Sequence, residues 1–329
     1  MVGLLAVPAI WIATLRFDLP SPEGQYAVGR NDGDFEAHAR HVAYTLYYPA
    51  VRGTGHAGPY MPAAIAQPTA ARDLGGFDAL ADPWARVEQH SADGAVWAVG
   101  RFPLIVFSPG ADVQPQYYSS MLTELASHGF VVAALSHPGF TPYIAYPDGT
   151  MAASQDPVPP SGPQAAMEQF DARIATVADD IQAAVVHIRT DPTTAGHLAT
   201  STGAFGHSLG GAAAASAAAR EVSIGAVGDM DGSLGAEARG VALKRPVFFF
   251  TDDGPVTALD QAARQGFVRG GTVGLKVTLH GAGHMTFATD VNFFEEAIPF
   301  NDSDTLGAME AYRDLTKPLV EFFTANLPS

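Results

Sequence analysis

Six residues constrain this chain more than any others: Gly206-His207-Ser208-Leu209-Gly210-Gly211, set between the apolar Gly203-Ala204-Phe205 and an Ala-rich run over 210–220. A Gly-x-Ser-x-Gly pattern between a strand and a helix marks a sharp strand-to-helix turn with the Ser at its tip. The glycines have a steric reason. The tip residue is strained, and Gly206 and Gly210 leave room where side chains would collide with neighbouring elements. The Ser208 hydroxyl then projects above the sheet, and the following helix aims its first amides at the same point. Five matching residues alone are a common pattern; the strand before and the small-residue helix after give this one its weight. Ser208 is the candidate nucleophile, and His207 is expected to pack beside the turn rather than to act as a base.

The rest of the chain supplies the matching frame. Phe102-Pro103-Leu104-Ile105-Val106-Phe107 reads as a buried strand, and Phe130-Val131-Val132-Ala133-Ala134-Leu135 as the next. Residues 116–128 between them suit a helix stopped by Gly129. Over 167–190, Ile174, Val177, Ile181, Val185 and Ile188 recur at helical spacing. Further strands are expected over 222–227, 246–250 and 273–279, with a closing helix over 305–326. Continuous apolar strands alternating with helices imply an α/β fold whose mostly parallel, doubly wound sheet is covered on both faces. The stretches 52–100 and 138–166 are rich in Gly, Pro and Ala. The second holds Asp156-Pro157-Val158-Pro159-Pro160-Ser161-Gly162-Pro163, which fits neither a helix interior nor a central strand. Long loops of this kind are expected to rim the active site.

Composition removes whole classes of function. Eighteen basic residues against 34 acidic ones give a net charge of −16, and only Lys244, Lys276 and Lys317 are lysines. No basic run exists to meet phosphates, so nucleic acid is excluded as a partner. With no cysteine, disulfides, thiolate metal sites and a Cys nucleophile are excluded together. No cofactor or metal is expected. Residues 1–20 form an apolar start with no basic residue ahead of it, shorter than the ~20 apolar residues of a spanning helix. Three readings of it stay open: a degraded signal, the end of a membrane helix, or a segment packed on the domain. The first two imply a secreted or membrane-anchored protein, and a local apolar patch leaves room for weak contact with a lipid interface. Residues 21–329 are expected to form a single catalytic domain. The oligomeric state is not legible.

A Ser hydroxyl needs a general base, and the base needs an orienting carboxylate. With a strand-turn-helix nucleophile these follow in the order Ser, acid, His. Downstream of Ser208 stand His280 and His284, in Leu279-His280-Gly281-Ala282-Gly283-His284. The Gly-Ala-Gly loop lets His284 swing over the turn, so His284 is the expected base, and His280 a core or supporting residue. Two acid pairs are open: Asp229 and Asp231 after one strand, Asp252 and Asp253 after the next. Either lies on the catalytic edge, and the losing pair is expected to cap a loop. The oxyanion hole should combine the backbone amide of Leu209 with that of Ala111 in the loop Ser108-Pro109-Gly110-Ala111. Tyr117 and Tyr118 lie close by in sequence and would suit an aromatic or polymeric ester.

With these residues in place, the chain resembles the lipase and plasma-type platelet-activating-factor acetylhydrolase family of α/β hydrolases, particularly its bacterial esterase members. The resemblance runs from Tyr26-Ala27-Val28-Gly29 and Leu46-Tyr47-Tyr48-Pro49-Ala50 to His284. It is most specific over 103–110, over Leu125-Ala126-Ser127-His128-Gly129-Phe130-Val131-Val132, and at the Ser208 turn. It implies an α/β-hydrolase fold and a serine ester hydrolase. It also implies that the acid is Asp231, in Met230-Asp231-Gly232-Ser233, giving a triad of Ser208, Asp231 and His284. Two positions depart from the family. Pro109-Gly110 stands where the family has His-Gly, as in cutinase-like polyester hydrolases, and Ser233 replaces an aromatic residue. The resemblance therefore carries the ester hydrolase and leaves the phospholipid substrate aside. The expected function is hydrolysis of short-chain acyl esters through an acyl-enzyme, with a polyester or cutin hydrolase, or an acyltransferase on the same scaffold, as alternatives. In bacterial relatives the catalytic domain often follows membrane helices, which suits the apolar start.

Overall fold

The computed structural model describes residues 18–74, 84, 87–155, 158–268, 274–296 and 306–329. Most of the apolar start, residues 1–17, lies outside the described residues. No described helix is long and apolar enough to cross a membrane.

Among the described residues, one ten-stranded sheet organises the chain. Its central strands are β5 (Phe102–Ser108), β6 (Val131–Ser136), β9 (Leu198–His207), β10 (Ala226–Met230), β11 (Val247–Thr251) and β12 (Gly274–Thr278). They lie in the order β12-β11-β10-β9-β5-β6, and every neighbouring pair is parallel. Beyond β6 the sheet turns antiparallel through β2 (Arg40–Ala50) and β1 (Ala27–Ala37), with the short β4 (Ser91–Asp93) and β3 (His56–Ala57) at that edge. This is a mostly parallel α/β-hydrolase sheet.

Side chains on a strand alternate between faces, and the core divides accordingly. Ile105 and Phe107 of β5, with Val132 and Ala134 of β6, face the helices Ser119–Ser127 (α2) and Ala308–Asn326 (α7). Leu104 and Val106, with Val131 and Ala133, face Pro163–Thr190 (α3) and Leu209–Arg220 (α4). With both faces covered, β5 and β6 are buried and almost wholly apolar, as a parallel sheet requires, whereas β12 at the sheet edge carries Lys276 and is partly exposed. The alanines of α4 are buried at its sheet face and against α3.

Several elements differ from the sequence reading. The expected strand over 222–227 lies at Ala226–Met230, because Ser223 and Ile224 turn back on Glu221 and Gly225 ties the chain to Thr202 (Gly225 N to Thr202 O, 2.7 Å). Asp229 is thereby inside a strand. The helix expected over 167–190 begins four residues earlier, at Pro163, where the fixed proline φ suits a first helical turn. The irregular stretch 52–100 contains helix Ala63–Leu74 (α1), and 138–166 contains a two-stranded hairpin, β7 (Tyr143–Ala145) with β8 (Met151–Ala153).

Candidate active site

β9 ends at His207, and Ser208 breaks into φ 54°, ψ −119° before α4 starts at Leu209. Few non-glycine residues tolerate that conformation. A Cβ on Gly206 would lie 2.4 Å from the Ser108 carbonyl oxygen, and one on Gly210 only 2.1 Å from it. The glycines are thus required by the backbone of β5, which passes directly beside the turn.

The neighbouring strand supports the same turn. Ser208 donates its amide to the Met230 carbonyl at 2.8 Å. Asp231, the next residue after β10, has φ 56° and donates its own amide to Phe250 O at 2.8 Å. The Asp231 carboxylate so projected accepts a hydrogen bond from His284 Nδ1, with 2.5 Å between the heavy atoms. His284 opens a 3-10 turn, His284–Phe287, that is closed by Gly283 N–H to Thr286 Oγ1 at 2.9 Å. The hydrogen bond that His284 donates to Asp231 raises the His284 pKa above its ordinary value; partial burial opposes this, and the charges of Asp231, Asp252 and Asp229 add to it. With Nδ1 committed to Asp231, Nε2 is left for proton transfer. Among the described residues no hydrogen bond joins that nitrogen to the Ser208 hydroxyl.

Asp229 has a different task. It is 1 % exposed, and its Oδ1 accepts the Gly232 amide at 2.8 Å, closing the turn that carries Asp231. Burial pushes its carboxyl up to about 7, against the pull of Arg264 and the Gly232 amide. The later acid pair caps loops. Asp252 accepts the Gly254 amide at 2.8 Å; Asp253 accepts the Gly281 amide at 2.6 Å and pairs with His280 Nδ1 at 2.8 Å. His280 was expected in the core or in support, yet its side chain is 86 % exposed. It sits at the strand end, turned to solvent, and Asp253 is its partner.

Two amides in the segments flanking the turn, those of Ala111 and Leu209, have no acceptor among the described residues. By contrast Gly110 donates to Tyr118 Oη at 3.3 Å, Asp112 to Phe140 O at 2.8 Å, and Val113 to Gly110 O at 3.3 Å. Amides free of an acceptor are what a developing oxyanion needs.

Tyr118 has a role other than the substrate contact expected of it. Tyr117 and Tyr118 are both buried and present no open aromatic surface. The Tyr118 hydroxyl accepts from Gly110 N–H and therefore donates to His207 Nδ1, 2.7 Å away. That leaves His207 neutral with its proton on Nε2, and burial followed by the nearby His284 charge pushes its pKa down to about 3. The His207 and His284 rings lie 4.6 Å apart between centroids. Nothing in the spacing of Tyr118 and His207 announces their contact. No cluster of three or more His, Asp or Glu able to hold a metal occurs among the described residues.

Residues 12–147 match the family model described as platelet-activating factor acetylhydrolase, isoform II. No curated protein matches the chain. Among solved structures, a ferulic acid esterase from Streptomyces cinnamoneus is similar at 23 % identity and a TM-score of 0.77, covering 96 % of this chain and 95 % of that one. A dienelactone hydrolase from Anabaena variabilis is similar at 16 % identity and a TM-score of 0.53, covering 92 % of this chain and all, 100 %, of its own. At these identities the solved structures speak for the fold. They show an α/β-hydrolase fold, and residues 12–147 are similar to the platelet-activating-factor acetylhydrolase family.

Proposed function

We propose that this chain is a serine carboxylic ester hydrolase working through an acyl-enzyme on Ser208. The observation that carries the reading is the strained Ser208 turn resting by one hydrogen bond on the segment whose Asp231 holds His284. Ser208 Oγ attacks the ester carbonyl and passes its proton to His284 Nε2. Asp231 fixes the ring tautomer and stabilises the imidazolium. The carbonyl oxygen becomes an oxyanion held by the amides of Leu209 and Ala111. Collapse of the intermediate breaks the C–O bond, and His284 returns the proton to the leaving alcohol. Water then attacks the acyl-enzyme by the same route in reverse roles. A nucleophile-to-base contact such as Ser208 to His284 is often too long for a hydrogen bond before substrate binds, and tightens in the complex. No cofactor takes part.

The substrate class we infer is short-chain acyl esters. Among the described residues, 138–162 carry a small hairpin and no helix that would fold over a long acyl chain. Pro109-Gly110 at the oxyanion loop favours a second reading, a polyester or cutin hydrolase. Initial rates on p-nitrophenyl esters of increasing length, beside methyl ferulate, a short-acyl phospholipid and a polyester film, test the inference. The expected maximum is at short acyl chains; a maximum at C12 or longer with activation at an oil interface contradicts it. An added alcohol acceptor should leave free acid as the main product, whereas a dominant transfer ester assigns an acyltransferase.

A further inference from the structure

A second Ser, His and Asp are joined in this molecule, sealed in the core. Ser108 Oγ lies 2.8 Å from His137 Nε2, and His137 Nδ1 lies 2.9 Å from Asp180 Oδ2. All three are buried, at 0 %, 1 % and 0 % exposure, so no ester reaches them. Arg40 closes the far end, with Nε on Oδ1 and Nη2 on Oδ2 of Asp180, both at 2.9 Å. Burial alone would push the Asp180 carboxyl up; hydrogen bonds from His137 and Arg40 outweigh it and hold the group below its ordinary value. A carboxylate only accepts, so His137 carries its proton on Nδ1, and its Nε2 accepts from the Ser108 hydroxyl.

The location gives this network its meaning. Ser108 is the last residue of β5 and directly precedes Pro109-Gly110-Ala111, and its carbonyl is the atom against which Gly206 and Gly210 are packed. His137 begins a turn closed by His137 N–H to Thr141 Oγ1 at 2.8 Å. The same turn carries the Phe140 carbonyl, which accepts the Asp112 amide at 2.8 Å. Arg40 also binds Pro138 O at 2.8 Å, and Arg40 and Arg173 both lie over the Phe140 ring, at 5.5 and 5.3 Å. The oxyanion loop is therefore gripped on both sides of Ala111, by Ser108 before it and Asp112 after it, and both grips lead to His137–Thr141.

We propose that His137, held by Asp180 and Arg40, is a positioning residue: through Ser108 it fixes the Ala111 amide at the distance from Ser208 that the oxyanion requires. This rests on the reading of Ser208 as the acylated nucleophile. A donor misplaced by about 1 Å costs on the order of 10²-fold in rate, so a loop freed at one end loses catalysis before it loses binding.

The test uses two variants of the full chain and a trifluoromethyl ketone. Ser208 Oγ adds to the ketone carbon, its proton passes to His284, and the ketone oxygen becomes an oxyanion in the same hole. Ser108→Ala removes the grip at least volume. His137→Asn keeps a donor for Asp180 but does not reach Ser108, so it serves as the second variant. In folded Ser108→Ala, kcat should fall about tenfold to a hundredfold with KM within about threefold. Ketone affinity should weaken by the same factor as kcat/KM, and His137→Asn should reproduce both. Packing alone would lower thermal stability without moving ketone affinity, and that result overturns the proposal, as does wild-type kcat in folded Ser108→Ala. A wild-type enzyme that the ketone does not inhibit overturns the Ser208 reading itself, and the positioning role with it.

Discussion

His284 Nδ1 and Asp231 Oδ2 lie 2.5 Å apart across 53 residues of sequence, while the neighbouring carboxylate Asp253 spends its two oxygens on His280 and on the Gly281 amide. The two acid pairs that look alike in the sequence thus have separate partners. One faces the Ser208 turn; the other ties down an exposed loop.

This separation makes the choice of acid testable. Asp231→Asn should lower kcat by roughly 10⁴-fold with little change in KM, as loss of an orienting carboxylate does. Asp252→Asn and Asp253→Asn should stay within about tenfold of wild type. Steady-state kinetics on folded variants decide it, and a collapse in Asp253→Asn with Asp231→Asn active would move the acid to the later strand.

The pH profile follows from the same contact. Asp231 stabilises the imidazolium and so raises the His284 pKa above 6.5. The base works only when neutral, so kcat/KM should rise with pH through a midpoint above 6.5. The residual activity of Asp231→Asn should rise through a lower midpoint. An unchanged midpoint in that variant means that another group controls the acid limb.

Asp229 bears on stability rather than chemistry. Burial lifts its carboxyl from 3.8 to about 7. Between those values the folded state holds a proton that the unfolded state has released, so this group makes stability fall as pH rises from about 4 to about 7, with no further change above. Asp229→Asn keeps the shape without the charge. Its Tm relative to wild type should climb between pH 5 and pH 8; a constant difference across that range contradicts the assignment.

What the sequence revealed and what it hid have physical causes. The central strands and α3 and α4 are legible because an apolar run or a helical repeat is a local signal, and the Ser208 turn is legible because its glycines are dictated by atoms of the turn itself and of β5 beside it. The β1–β2 hairpin is not. Its register, from Ala27 opposite Ala50 to Ala37 opposite Arg40, is closed by His38 and Ala39, both at positive φ, where a tight hairpin ordinarily announces itself with Asn-Gly or Gly. The site divides in the same way. Ser208 and His284 stand out by motif and loop, but the partners of Ser108, His137 and Asp180 are set by tertiary packing across separations of 29 and 43 residues. Tyr118 meets His207 across 89. No spacing rule connects residues so placed.

Labelling by a fluorophosphonate followed by peptide mapping shows whether Ser208 is the acylated nucleophile. A single adduct on Ser208 is expected in wild type, and in folded Ser208→Ala no adduct together with a loss of kcat on the order of 10⁶-fold. An adduct on another serine, or turnover that survives in Ser208→Ala, contradicts that role.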